Sequence, residues 1–231
     1  MFLVFILSGV LYYIYIDTPV ITGDSVKEIT AVVERVIDGD TIVLDNGEKV
    51  RFLGINTPEK KEFYADEAIA FMKGVENKTV KVKISEKDKY GRSLGYVFYN
   101  GKLLNEELLR GGFASLYIYD KDEYTVRLTK AEKTAMDSGI GIWKKSSNFG
   151  CLVLTELKYL EDGKRCTNRE RIILENSCKT LNVSIKDDAT HIEHVLIKTG
   201  TFSKNYSCIF NDAGDSLYVW DKSGLLVFER Y

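Results

Sequence analysis

Glutamine is absent from the 231-residue chain, and histidine occurs only twice, at His191 and His194. The first absence is shared by heat-adapted proteins and by chains from genomes of skewed base composition, so it assigns neither. The second is more useful. Two histidines three residues apart on a strand point to opposite faces, which excludes them as a joint metal pair. Cysteine is missing from the first 150 residues; Cys151, Cys166, Cys178 and Cys208 all fall in the last third. They form no CxxC pair, so no zinc ribbon is indicated. An even number in so small a region points to disulfides in an oxidising compartment, with three pairings open. A net charge of one strong sign is lacking as well: the total is −2. Residues 26–146 hold 21 Lys/Arg against 20 Asp/Glu, a net of +1, and residues 147–231 hold 11 against 12, a net of −1. No global basic field draws in nucleic acid, so any phosphate binding rests on local placement. There is no internal repeat and no low-complexity tract. With 45% apolar and 29% charged residues, the chain has material for a real core and does not have a disordered composition.

Charge is also missing from Phe2 to Ile16. Fifteen apolar residues fall short of the ~20 that span a bilayer as a helix and suit the apolar region of a secretory signal. A basic flank and a small-x-small cleavage site are not present, while Tyr12, Tyr13 and Tyr15 suit a membrane interface. Residues 1–21 are therefore expected to be a signal or membrane-anchor segment. The chain is then exported, either secreted or anchored, and residues 2–16 make the membrane a candidate partner. The alternative is a buried first strand.

From Ile29 the pattern becomes β. Ile29–Val33, Thr41–Leu44 and Val50–Ile55 read as strands, joined by Asp38-Gly39-Asp40 and by Asp45-Asn46-Gly47-Glu48, which has a hairpin Asn-Gly at its centre. Ala68, Phe71, Met72 and Val75 share a helical face. Val80–Ile84 and Leu94–Tyr99 read as strands, the second ending at Asn100-Gly101. Asn105 is placed to cap a short helix that Gly111-Gly112 closes. A longer helix covers about 124–137. This order suits an OB-fold β-barrel with about three helices over residues 26–146. After a linker at 146–150, helical signals stop. Cys151–Leu157, Glu170–Glu175, His191–Ile197, Tyr206–Asn211, Ser216–Trp220 and Leu225–Glu229 read as strands, implying an immunoglobulin-like β-sandwich over 150–231. The fold class is thus α+β, then all-β.

Chemistry concentrates in three short stretches: Val36-Ile37-Asp38-Gly39-Asp40-Thr41, Arg51 through Glu59, and Asp88-Lys89-Tyr90-Gly91-Arg92. Hard divalent cations take oxygen ligands from carboxylates, amides and carbonyls. Guanidinium forks hold two phosphoryl oxygens at once, which lysine does not do. Together these stretches resemble the staphylococcal nuclease (thermonuclease) family, from about Val26 to about Lys145. The resemblance implies a Ca²⁺-dependent endonuclease acting on DNA and RNA and leaving 3′-phosphate ends. Asp40, Asn56 and the Thr57 carbonyl fall at the metal positions, and Arg51, Arg92 and Glu59 at the catalytic ones. Lys89, Tyr90, Tyr117 and Tyr119 fall at the nucleotide pocket. Position 56 is usually aspartate in the family, so this site is one negative charge short and is expected to bind metal more weakly. Tyrosine faces stack on unpaired bases for ~1–3 kcal/mol each, so single strands are the preferred partner. A second role compatible with the same barrel is a catalytically weak module that binds nucleic acid or peptide. Arg171–Asn176 and Gly214–Gly224 also resemble, more loosely, the lamin-tail domain, whose ligand here is not named by any residue.

Overall fold

The computed structural model describes residues 2–7, 10–15, 27–159, 170–188, 191–207, 209–210 and 215–231, the first two stretches by their backbone alone. Strands β1 (Phe2–Leu7) and β2 (Val10–Tyr15) form an antiparallel hairpin with Phe2 opposite Tyr15. Among the described residues no helix is long and apolar enough to cross a membrane. The membrane partnership and the membrane-anchored placement expected from residues 2–16 are corrected accordingly. An apolar run signals burial but not helix, and β-branched and aromatic residues favour the extended chain.

A barrel follows. Its elements are β3 (Lys27–Val36), β4 (Thr41–Leu44), β5 (Lys49–Phe52), β6 (Ile55–Asn56), α1 (Ala65–Lys73), β7 (Thr79–Lys87), β8 (Ser93–Tyr99), β9 (Lys102–Leu103), α2 (Leu104–Arg110), β10 (Ser115–Leu116) and α3 (Thr125–Ser138), then a 3₁₀ turn at Gly141–Trp143. The sheet order β5-β4-β3-β7-β8-β9 is closed by a parallel pairing of β5 with β8, giving the OB-fold-like barrel with three helices. Alternation sets its inside: Val80, Val82 and Ile84 of β7 point inward while Lys81 and Lys83 stay outside. They join Val33, Ile42, Phe52, Val97 and Leu108 in one core, where each fully buried aliphatic or aromatic side chain contributes roughly 1.5–3 kcal/mol.

Asn105 differs from expectation. The N-cap of α2 is Leu103, without a side-chain bond. Asn105 lies inside the first turn, fully buried. Its Oδ1 accepts the Val97 N–H at 3.0 Å, and its Nδ2 donates to the carbonyls of Leu53 and Gly95 at 2.8 and 3.3 Å. The Gly95 carbonyl also accepts the Leu53 N–H at 2.9 Å, so the amide reinforces the barrel wall where β5 meets β8 and does not cap the helix.

Beyond the linker come β11 (Leu152–Lys158), β12 (Glu170–Asn176), β13 (Leu181–Lys186), β14 (Ile192–Ile197), β15 (Gly200–Tyr206), β16 (Ser216–Asp221) and β17 (Gly224–Arg230). They form two antiparallel sheets, β11-β12-β15 and β14-β13-β16-β17. Leu152, Ile172 and Leu174 from the first share a core with Val183, Ile185, Ile197, Leu217, Val219 and Leu226 from the second. The expected strand at 206–211 is replaced by β15, which only reaches Tyr206, and β13 is an addition. A disulfide joins Cys151 to Cys178; Cys166 and Cys208 lie outside the described residues, as do Gly214 and part of the expected lamin-tail pattern.

The barrel and the C-terminal sheets meet on a third apolar cluster. Ala135, Ile142 and Trp143 pack against Tyr218, Trp220 and Leu225, and the Trp220 indole N–H donates to the Ile142 carbonyl at 3.0 Å. The linker itself is clamped by Asp221. One carboxylate oxygen accepts from Ser146 Oγ (2.7 Å) and Asn148 Nδ2 (2.8 Å). The other accepts from Ser223 N and Oγ (both 2.7 Å) and from Gly224 N (3.1 Å). Burial pushes this carboxyl up, but the donors outweigh burial and hold it below the usual range. A depressed folded pKa contributes stability above the ordinary aspartate value, about 4, and loses it as pH falls through the lower folded value. Asp221→Ala is therefore expected to cost about 3 kcal/mol at pH 7, with buried donors left unmet. The difference from wild type should shrink below pH 4. Urea unfolding at the two pH values checks both statements.

Candidate active site

The turn between β3 and β4 builds the first part of the site. Asp38 Oδ1 accepts the Asp40 N–H at 3.1 Å, a local bond that tightens the turn. Asp40 is then directed inward and is only 5% exposed. Its Oδ2 accepts from Thr57 N at 2.8 Å and Thr57 Oγ1 at 2.9 Å. Its Oδ1 accepts from Thr41 Oγ1 at 3.1 Å and meets Arg51 Nε at 3.1 Å. Gly39 permits this approach: a Cβ there would lie 2.8 Å from Thr57 Cβ and 2.9 Å from Ala68 Cβ. Burial and the nearby Asp40 charge push the Asp38 carboxyl up to about 6.

Arg51 sits on β5 opposite Thr41, between inward Val50 and Phe52 and facing away from both, as strand alternation requires. Its Nη1 donates to the Phe52 carbonyl (2.5 Å) and the Ile55 carbonyl (2.9 Å), and its Nη2 to Asn56 Oδ1 (3.0 Å). The side chain is 14% exposed. Asp40 and Asn56 thus turn their side-chain oxygens toward one cation, the guanidinium.

Arg92 arrives by the parallel closure of the barrel. Arg51 pairs with Leu94, and Arg92 closes the turn that leads into β8, two positions before Leu94. Its guanidinium is held by Asp88, Nε to Oδ2 at 2.7 Å, and lies 5.6 Å from the Tyr90 ring centre. Glu59 is exposed on the loop that leads into α1, and its N–H donates to Glu62 Oε2 at 2.7 Å. Among the described residues neither Arg92 nor Glu59 bonds to the Asp40–Arg51–Asn56–Thr57 cluster. Tyr90 and Tyr119 are 73% and 88% exposed, with Lys89 over the Tyr90 ring. Tyr117 follows β10, which pairs with β6 beside Asn56. Burial pushes its phenol up, the Arg51 charge pulls it down, and Asp187 and Asp188 add to the rise. The Tyr117 N–H donates to the Gly54 carbonyl at 3.0 Å.

No group of three or more His, Cys, Asp or Glu gathers into a metal cage among the described residues. The site offers the Asp40 carboxylate, the Asn56 amide oxygen and the neighbouring Thr57 carbonyl. That is an all-oxygen set, which suits a hard cation in kind, with a single negative charge.

The second half of the chain supplies residues that no local motif signals. Asn56 Nδ2 donates to the Asp188 carbonyl at 2.9 Å, across 132 positions of sequence. Lys186 Nζ lies 3.8 Å from Glu62 Oε1, with both side chains nearly buried. Burial pushes the Glu62 carboxyl up and Lys186 opposes it. Glu132 of α3 accepts the Leu116 N–H at 2.7 Å and takes two bonds from Arg230, at 2.6 and 3.1 Å.

Comparison with known proteins shows the family. The family described as "Staphylococcal nuclease homologue" matches residues 49–145. A thermonuclease of Staphylococcus intermedius is 35% identical over 126 residues, 49% of this chain and 75% of that protein. A thermonuclease of Staphylococcus hyicus is 36% identical over 130 residues, 51% of this chain and 77% of that protein. The endonuclease YncB of Bacillus subtilis is 35% identical over 136 residues, covering 52% and 64%. The chain belongs to the staphylococcal nuclease family. The family match ends at residue 145, before the C-terminal sheets begin.

Proposed function

We propose that the chain is a Ca²⁺-dependent endonuclease that hydrolyses phosphodiester bonds of single-stranded DNA and RNA and leaves 3′-phosphate ends. The observation that supports this most is the Asp40–Arg51–Asn56–Thr57 cluster, with Arg92 in the turn that enters β8, the strand paired with that of Arg51. In this scheme water attacks phosphorus in line and the bond to the 5′-oxygen breaks. Arg51 and Arg92 hold the phosphoryl oxygens as their charge grows. Glu59, exposed on its loop, orients the water or takes its proton. Tyr117 and Tyr119 stack on bases beside the site, and Lys89 and Tyr90 grip the strand. Asp40, Asn56 and the Thr57 carbonyl hold the cation, which supplies Lewis-acid polarisation when bound. The domain division proposed is 1–21, 26–146 and 150–231, the last a lamin-tail-like sandwich that docks the enzyme to a partner.

The test is digestion of single-stranded DNA by the full chain. Cleavage in Ca²⁺ that falls at least 100-fold in EDTA is the expected result; a rate that EDTA leaves unchanged would overturn the metal role. One observation favours a second reading. All three Arg51 nitrogens already face protein oxygens, as they would in a module that binds without cutting. DNA retained in Ca²⁺ without products would establish that reading.

A further inference from the structure

A cleft of about 720 Å³ lies between the barrel and the C-terminal sheets. Its walls include Lys61 and Phe63 from the barrel, and Lys179, Lys222, His194 and Asn148 from beyond it. The three lysines and His194 are exposed. The two carboxylates that line it are already committed. Asp221 keeps its charge but turns it to the donors that clamp the linker, and Glu62 faces Lys186, which leaves three lysines against one carboxylate. The cleft therefore presents net positive charge to solvent, although the chain as a whole is slightly negative.

Its position is the second observation. Glu62, Phe63 and Trp220 line both this cleft and the small pocket around Asn56, Thr57 and Pro58. The wall from Lys61 to Phe63 begins two residues after Glu59. That loop is held in an unusual form: Lys61 and Tyr64 both have left-handed backbones, at φ 79° and 71°. Non-glycine residues adopt this conformation only at a cost, and such strain gathers where a loop must present groups.

We propose that this cleft is a nucleic-acid subsite, carrying the single strand away from the scissile phosphate. Lys61, Lys179 and Lys222 neutralise successive phosphates, and Phe63 offers a face to a base. The proposal rests on the nuclease reading above and adds a role for the C-terminal sheets in holding substrate. It accounts for how a chain with no basic field grips a polyanion: the positive charge is gathered where two parts of the fold meet.

Fluorescence anisotropy of labelled dT20 and dT4, read with the full chain in EDTA, tests it. The wild type is expected to bind dT20 more tightly than dT4. K61A/K179A/K222A should lose that advantage, on the order of 10- to 100-fold at 0.1 M salt. Its log–log salt slope should be shallower by about 2, as three lost phosphate contacts require at ~0.7 each. K179E/K222E leaves the Lys61 loop untouched and should show the same loss. If both variants bind dT20 with the wild-type constant and slope, the cleft is not a strand site. Binding is read without cleavage, so an inactive wild type would overturn the nuclease reading and leave this result standing on its own.

Discussion

Arg51→Ala is expected to lower phosphodiester cleavage by 10²–10³-fold or more and to destabilise the chain by about 3–5 kcal/mol. The first figure is the scale for removing one preorganised donor from a developing oxyanion. The second follows from what the side chain leaves behind. Asp40 is buried and keeps Thr41 and Thr57 as donors, but loses its only countercharge among the described contacts. An ion stranded in this way costs several kcal/mol. The carbonyls of Phe52 and Ile55 and the amide oxygen of Asn56 lose their donor in the same step. Arg51→Lys keeps the charge but not the fork, so it should recover much of the stability and little of the rate. Arg92 is the control. It is more exposed and leans on Asp88 alone for its ion pair, so Arg92→Ala should reduce the rate comparably while changing stability by less than about 1 kcal/mol. Steady-state cleavage and urea unfolding of the three variants give the comparison. A normal rate in either alanine variant would remove the two-arginine scheme.

That contrast between the arginines was not available from spacing. Arg51 and Arg92 carry similar local signals, each beside a turn, and only the parallel closure of β5 on β8 brings their segments side by side, with Arg51 the more buried of the two. What the sequence does reveal is local chemistry. The Asn46-Gly47 and Asn100-Gly101 hairpins are legible because they need left-handed backbone, and Gly47, Asn100 and Gly101 all have it (φ 81°, 48° and 76°). The Asp40–Thr57 contact is legible because it joins two adjacent motifs. Asn105 misleads because a buried amide and an N-cap use the same residue type. The apolar run at 2–16 misleads because hydrophobicity alone does not separate helix from strand. β15 is obscured because it is an edge strand, mostly exposed, with Tyr206 at its end as its one buried residue. The Asn56–Asp188 contact had no signal at all, since nothing in either segment refers to the other. It also gives position 56 a physical reason to be an amide: Nδ2 donates to a carbonyl of the second half while Oδ1 serves Arg51. A carboxylate there would set oxygen against oxygen.

The same coupling makes Arg230→Ala the most damaging change outside the nuclease motifs. Glu132 is 2% exposed and belongs to the barrel, and Arg230 is on the last strand of the C-terminal sheets. Burial works against the guanidinium charge, but Glu132 more than offsets it and keeps the group well above its ordinary pKa. Removing Arg230 strands Glu132 with only the Leu116 N–H to hold it among the described residues, at an expected cost of about 3–5 kcal/mol. Replacing both partners with apolar residues, as in E132L/R230M, should recover most of that loss, because no buried charge then remains. The effect should extend to the site. Leu116 is next to Tyr117, and Tyr218, which donates to Asp188 Oδ1 at 2.8 Å, also lies 3.4 Å from Arg230 Nη2. Loosening Arg230 therefore acts on β10, which leads into Tyr117, and on the turn that holds Asn56. Arg230→Ala is expected to raise KM for single-stranded DNA several-fold at a temperature where the protein is still folded. The apolar pair should restore stability without restoring KM. If KM recovers together with stability, the C-terminal sheets support the barrel only through its folding and do not position its substrate face.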